Sequence, residues 1–147
     1  NEYGSIKEEE QKIELFLSTL GGSAIDMLGV YDTMRRVREV CPIHTNGVGK
    51  VMSAGVLILA SGTKGCRTIG ENCRVMLHSV IGGYHGSLPN MEDEIQEVRW
   101  VQKRFIDLLA KETQLTKKQL KEMISKRKDV YLTAKEAVKY GIADKII

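Results

Sequence analysis

The sequence predicts an α/β domain built from parallel βαβ units. Short apolar or β-branched runs alternate with segments whose apolar residues recur at helical spacing, and glycine-bearing turns separate the two kinds. Such alternation places helices against the faces of a largely parallel sheet. With 147 residues and 42% apolar content, the chain suits one ordinary domain able to bury roughly 70% of its unfolded surface.

The elements follow in order. Residues 1–12 are polar and charged and predict a frayed start. Ile13 to Leu17 is a short apolar strand, broken by Thr19-Leu20-Gly21-Gly22-Ser23. Ala24 to Val40 reads as a helix with Ile25, Leu28, Tyr31, Met34 and Val37 (Val30 close by) on its apolar face. Arg35, Arg36 and Arg38 suit its C-terminal end, where the helix dipole favours cations. Ile43 to Val51 reads as the next strand and Ala54 to Ala60 as its helix. Short strands follow at 66–69 and 74–78, around Gly70-Glu71-Asn72. Ile81-Gly82-Gly83-Tyr84-His85-Gly86 is too glycine-rich for a packed central strand, since glycine weakens strands and marks close backbone approach. A helix over about 90–111, some 30 Å long, carries the stripe Ile95, Val98, Val101, Phe105, Leu108 and Leu109. Its length suggests that it projects and packs on a neighbouring subunit. Thr116 is an N-cap candidate for a helix to about Ser125, and Thr133-Ala134-Lys135-Glu136 is a capping box opening a last short helix. Gly141 ends it, and residues 142–147 read as a closing strand.

Composition excludes several classes. The net charge is only +3 and no basic stripe is interleaved with aromatics, so nucleic acid is not the expected partner. No apolar run approaches a membrane span, and Lys7-Glu8-Glu9-Glu10 is unlike a secretory signal. Cys41, Cys66 and Cys73 form an odd set without Cys-x-x-Cys spacing, which argues against a disulfide framework or structural zinc. Reduced, buried thiols in a reducing compartment, the cytoplasm or an organellar matrix, are the expectation.

The chemically suggestive stretch is Gly49-Lys50-Val51-Met52-Ser53-Ala54-Gly55, followed at once by the apolar run Val56 to Ala60. A serine on a sharp strand-to-helix corner has its Oγ pushed away from the backbone, beside helix N-terminal amides able to hold an oxyanion. Small residues at such corners also serve packing alone. Serine chemistry needs a base, and three histidines are available: His44, His78 and His85. His78 ends the apolar strand Arg74-Val75-Met76-Leu77, His85 lies in the glycine-rich segment and His44 in an upstream strand. Spacing alone does not choose among them, and acids are too plentiful for composition to choose one.

Several ordered segments together resemble the proteolytic subunit of the ATP-dependent Clp (caseinolytic) protease, from about Ile13 to Ile147. They are Leu20-Gly21-Gly22-Ser23 with Val30-Tyr31-Asp32-Thr33-Met34, Gly49 through Gly65, and Asn72 through His78. Ile81 through Gly86, Lys128 through Ala134, and Glu136 through Asp144 complete the set. The resemblance implies a spiral of ββα units of the crotonase/Clp type, with a projecting handle helix and a glycine-rich handle strand. It implies one domain over 1–147, with a head at about 13–80 and 129–147 and a handle at about 81–128.

Carried over by position, Ser53 matches the nucleophile, His78 the general base and Asp129 the acid. Gly22 and Ala54 match the amides of the oxyanion hole, and Ile81, Gly82 and Gly83 the strand that binds substrate by main-chain pairing. The implied function is a serine endopeptidase subunit of a self-compartmentalised, ATP-dependent protease acting on unfolded polypeptides. Homo- or hetero-heptameric rings stacked as a tetradecamer would enclose the sites, with the long helix at the ring–ring contact. No metal and no cofactor is expected in this chain. It has no Gly-x-x-x-x-Gly-Lys-Ser/Thr loop, so ATP would be used by a separate AAA+ unfoldase.

The sequence also departs from the family. About fifty residues that usually precede the Gly-Gly turn have no counterpart among the twenty before Gly21, so the ATPase-docking element is expected to be shortened, missing or outside this chain. Leu20 stands where the family has proline, which predicts a looser oxyanion turn, and Met52 puts a bulky side chain before Ser53. About two extra residues fall near Pro42, and about two more between His78 and Asp129. These departures keep open a weakly active, structural or regulatory ring subunit. Acyl-CoA enzymes of the crotonase type share the spiral core but need no Ser/His pair, and the retained pair speaks against them.

Overall fold

The computed structural model describes residues 11–125 and 128–147. The frayed start expected over 1–12 lies mostly outside the described residues. Six strands and five helices follow in the order β1 (Ile13–Thr19), α1 (Ala24–Val37), β2 (Ile43–Met52), α2 (Ala54–Ala60), β3 (Arg67–Ile69), β4 (Arg74–Leu77), α3 (Leu88–Glu112), α4 (Lys117–Ser125), β5 (Val130–Leu132), α5 (Ala134–Lys139) and β6 (Lys145–Ile146). This mixed α/β arrangement agrees with the sequence reading.

β2 is the organising strand. β1 runs parallel along one edge, pairing Ile13 with Ile43 through Leu17 with Gly47, and then Thr19 with Val51 after a register shift. The other edge is taken first by β3, with Thr45 opposite Arg67, and then by β4, with Lys50 opposite Arg74. The handover falls at Gly49, whose φ of +66° lies in the left-handed region that favours glycine. β6 extends the sheet beyond β3 in parallel, and β5 closes the far side against β4 in antiparallel fashion.

The core lies between this sheet and the helices. The run Val56-Leu57-Ile58-Leu59-Ala60 of α2 is buried on every side, because α2 is covered by sheet, α1 and α3 together. Burying Leu57 contributes about 2 kcal/mol. Gly55 lets this helix cross β1 closely, since a Cβ there would stand 2.4 Å from Thr19 Cγ2.

Several expectations need correction. In α1 the buried face is Met27, Tyr31 and Met34, while Ile25 and Val30 are exposed. A shared helical spacing admitted both stripes, and packing against α2 selected the one containing Met27. α3 begins at Leu88, with Pro89 in its first turn, and only its second half is buried, so Ile95 is exposed. The strand expected over 142–147 shortens to two residues, because Ile142 and Ala143 are buried in the turn after α5 and Asp144 bonds to the 65–67 loop. β5, not expected, is antiparallel to β4 and breaks the all-parallel pattern. The 79–87 segment carries no strand, and Gly82 packs against Val98 of α3, where a Cβ would stand 2.4 Å from Cγ2.

A buried polar cluster ties the layers together. Glu112, 2% exposed at the end of α3, accepts hydrogen bonds from Tyr31 (2.9 Å) and from both ends of the Arg38 guanidinium (2.9 and 3.1 Å), with Lys64 at 3.1 Å. Arg67 donates to the main-chain oxygens of Ala60 and Glu112 and pairs with Asp144. Burial pushes the Glu112 carboxyl up, but the bonds from Arg38, Tyr31 and Lys64 outweigh it and hold the pKa at about 2. Burial, then the bond to this carboxylate, raises Tyr31 to about 12.

Candidate active site

β2 and α2 meet at Ser53, the one non-glycine residue with positive φ among those described (φ 54°, ψ −123°). Such a backbone costs on the order of 1–3 kcal/mol and persists only where its surroundings enforce it. Here the Ser53 amide donates to Met76 O (2.8 Å), extending the β2–β4 ladder into the corner, while Ser53 O accepts from Val56 N (3.0 Å). Ser53 is the N-cap of α2 but makes no side-chain capping bond, so its hydroxyl is free for other work.

That hydroxyl meets His78, the residue after β4. Ser53 Oγ lies 2.8 Å from His78 Nε2, and both residues are half-buried. With the ring proton on Nδ1, Nε2 accepts the serine proton. A hydroxyl bonded to an imidazole in this way can become a nucleophile, the imidazole taking its proton. The other histidines stand apart in role: His44 is a half-buried residue of β2, and His85 is exposed.

Asp129 occupies the position just before β5. The antiparallel register pairs Leu77 with Val130, so the next step along both chains sets His78 opposite Asp129. Asp129 is exposed and makes no hydrogen bond to His78 among the described residues. The structure thus brings Ser53 and His78 into bonding contact, while the position of Asp129 follows from the β4–β5 pairing one step beyond its last pair, Leu77 and Val130.

The Gly21–Gly22 turn lies over Ser53. Gly21 has φ +105°, and a Cβ there would stand 2.6 Å from Ser53 Cβ and 3.1 Å from its Oγ. The turn is fixed by Thr19, whose Oγ1 accepts from Gly21 N at 3.0 Å. A threonine hydroxyl thus supplies a local restraint where proline is missing. The amides of Gly22 and Ala54 make no protein hydrogen bond among the described residues, and both residues line the cleft above the serine. This cleft, about 310 Å³, also includes Leu20, Met27, His78, Val80, Ile81 and Phe105. Met52 does not line it. Ile81 does, while neither Gly82 nor Gly83 is among its walls.

Among the described residues, no group of three or more His, Cys, Asp or Glu is placed to hold a metal ion, and no helix is long and apolar enough to cross a membrane. The three cysteines are free thiols, with Cys73 buried and Cys41 and Cys66 half-buried.

The family model described as Clp protease matches residues 4–147. The chain belongs to the Clp protease family. It is similar to the ATP-dependent Clp protease proteolytic subunit of Deinococcus radiodurans, at 33% identity over 138 residues, covering 94% of this chain and 66% of that one. It is also similar to the ATP-dependent Clp protease proteolytic subunit 1 of Prochlorococcus marinus, at 32% identity over 141 residues, covering 96% and 70%. The corresponding subunit 1 of Salinibacter ruber is 35% identical over 137 residues, covering 93% and 57%. This Clp family chain therefore spans about 57–70% of the length of these relatives.

The polar cluster around Glu112 escaped the sequence reading. Glu112 and Arg38 are 74 positions apart, and no local pattern links them. The one available signal was a glutamate falling on the buried side of α3, in line with Leu108 and Leu109.

Proposed function

We propose that this chain is a serine endopeptidase subunit of a self-compartmentalised Clp protease. It cleaves unfolded polypeptides, with Ser53 as nucleophile, His78 as general base and Asp129 as the acid that orients the imidazole. The observation that carries this reading is the 2.8 Å contact between Ser53 Oγ and His78 Nε2 at a strained strand-to-helix corner.

Ser53 Oγ attacks the scissile carbonyl while His78 Nε2 takes its proton. The oxyanion that forms is received by the amides of Gly22 and Ala54, which have no hydrogen bond among the described residues and belong to residues lining the cleft. The same imidazole then returns the proton to the departing amine, leaving an acyl-serine, and water repeats the sequence to release the acid. Substrate binding carries Asp129 across its register neighbour to accept from Nδ1–H, since catalytic hydrogen bonds often tighten only in the occupied site. Ile81 borders the bound peptide. Rings of such subunits enclose the sites, the handle (about 81–128) meets the facing ring, and a separate AAA+ unfoldase feeds the chamber.

The deciding experiment is labelling with a fluorophosphonate probe, on this chain and on Ser53→Ala. Labelling that disappears with the serine supports the reading. Labelling absent from a verified ring assembly overturns it.

A further inference from the structure

A second groove, about 800 Å³, opens between α3 and α4 and shares Ser79 and Val80 with the cleft above Ser53. The two openings are therefore neighbours, bordered in common by Ser79 and Val80. Its apolar floor is made by Val80, Val98, Ile106 and Ile124, the last two at most 5% exposed. Its rim is basic. Arg99 and Lys103 stand four residues apart on α3, and Lys117 and Lys121 stand four apart on α4. Each pair shares one helix face, where like charges repel, and the two pairs border one opening. Asp107 is the single acid in the lining, and it is already paired with Lys117 at 2.6 Å. Arg99, Lys103 and Lys121 are exposed and make no ion pair among the described residues.

We propose that this groove is a specificity site receiving an acidic, apolar-punctuated segment of the substrate polypeptide. Carboxylates meet Arg99, Lys103 and Lys121 while intervening apolar side chains cover the floor between Val98 and Ile124. The argument is charge complementarity together with the border the groove shares with the serine cleft at Ser79 and Val80. It rests on the proposed peptidase reading for its direction of binding, but its test does not depend on turnover.

The test uses Ser53→Ala, which cannot cleave, and two short fluorescent peptides of alternating leucine and charge, one with Glu and one with Lys. Anisotropy should give affinity at least about tenfold tighter for the Glu peptide, falling toward parity at about 0.5 M salt, where the screening length drops to about 4 Å. Lys103→Glu combined with Lys121→Glu should reverse the order, and Lys103→Gln with Lys121→Gln should erase it. The salt series on Ser53→Ala alone keeps the test decisive if either double variant fails to fold. Equal affinities, or a preference that survives the charge reversal, would overturn the proposal. So would an unchanged preference with an altered sedimentation mass, which would assign the groove to a second copy of this chain. Fluorophosphonate labelling of the wild-type chain reports on the peptidase reading separately, so failure of the groove proposal and failure of that reading are told apart.

Discussion

Gly21 sits so close to Ser53 that a Cβ on it would stand 2.6 Å from the serine Cβ. The turn and the nucleophile are a single packed unit, and no side chain fits between them. Neighbouring Gly22 meets nothing within 4 Å at the same point.

Gly21→Ala should therefore lower the rate of fluorophosphonate labelling by about a hundredfold or more. The alanine would both occupy the left-handed region, at about 1–2 kcal/mol, and push Ser53 off His78. Gly22→Ala keeps its amide and should cost less than about tenfold. Equal effects would mean that the turn does not position the serine.

His78→Ala should lower peptide turnover by about 10⁴ if the triad acts as a unit. Asp129→Asn should approach the same loss, since the wrong imidazole tautomer would be held. A loss below tenfold for Asp129→Asn, beside a full loss for His78→Ala, would remove Asp129 from its role and send the search to another acceptor for Nδ1.

Glu112 makes stability depend on acid. Its folded pKa is depressed from 4.5 to about 2, so its contribution is fully present above pH 4.5 and is lost as pH falls from there toward 2. A depression of this size corresponds to about 3 kcal/mol. Denaturant titrations at pH 7, 5, 4 and 3 should show the decline, and Glu112→Gln should flatten it. Glu112→Ala at pH 7 should cost about 3–5 kcal/mol, because Arg38 would be left without its buried partner. An unchanged slope for Glu112→Gln would assign the acid sensitivity elsewhere.

Thr133→Ala tests the smallest local device. Thr133 Oγ1 accepts from Glu136 N at 3.2 Å, and the Glu136 carboxylate accepts from Thr133 N at 2.8 Å. Loss of this capping box should cost about 1 kcal/mol by thermal or chemical denaturation, with labelling at Ser53 unaffected.

Local chemistry made some features legible in advance. The Thr133–Glu136 box, the helix over Ala54–Ala60 and the corner at Ser53 depend on neighbours a few positions apart, and each lies where its residues predicted. Periodicity was less reliable where only one face of a helix finds a partner. Ile25 and Ile95 fit the helical spacing yet are exposed, because neighbouring helices cover other stripes. The three-residue β5 was too short to carry a period and exists through its pairing with β4.

By itself, then, the chain determined its α/β class, the starts of α1, α2, α4 and α5 and the serine corner, since these follow from backbone preferences and side chains close in sequence. Spacing left His44, His78 and His85 open and the family resemblance pointed to His78; tertiary structure supplied its contact with Ser53, and alone decided that Gly21 has no room for a side chain and that Glu112 lies buried among Tyr31, Arg38 and Lys64. Those relationships join residues 25 to 81 positions apart, and such distances close only when the sheet orders its strands and the helices fold back over it.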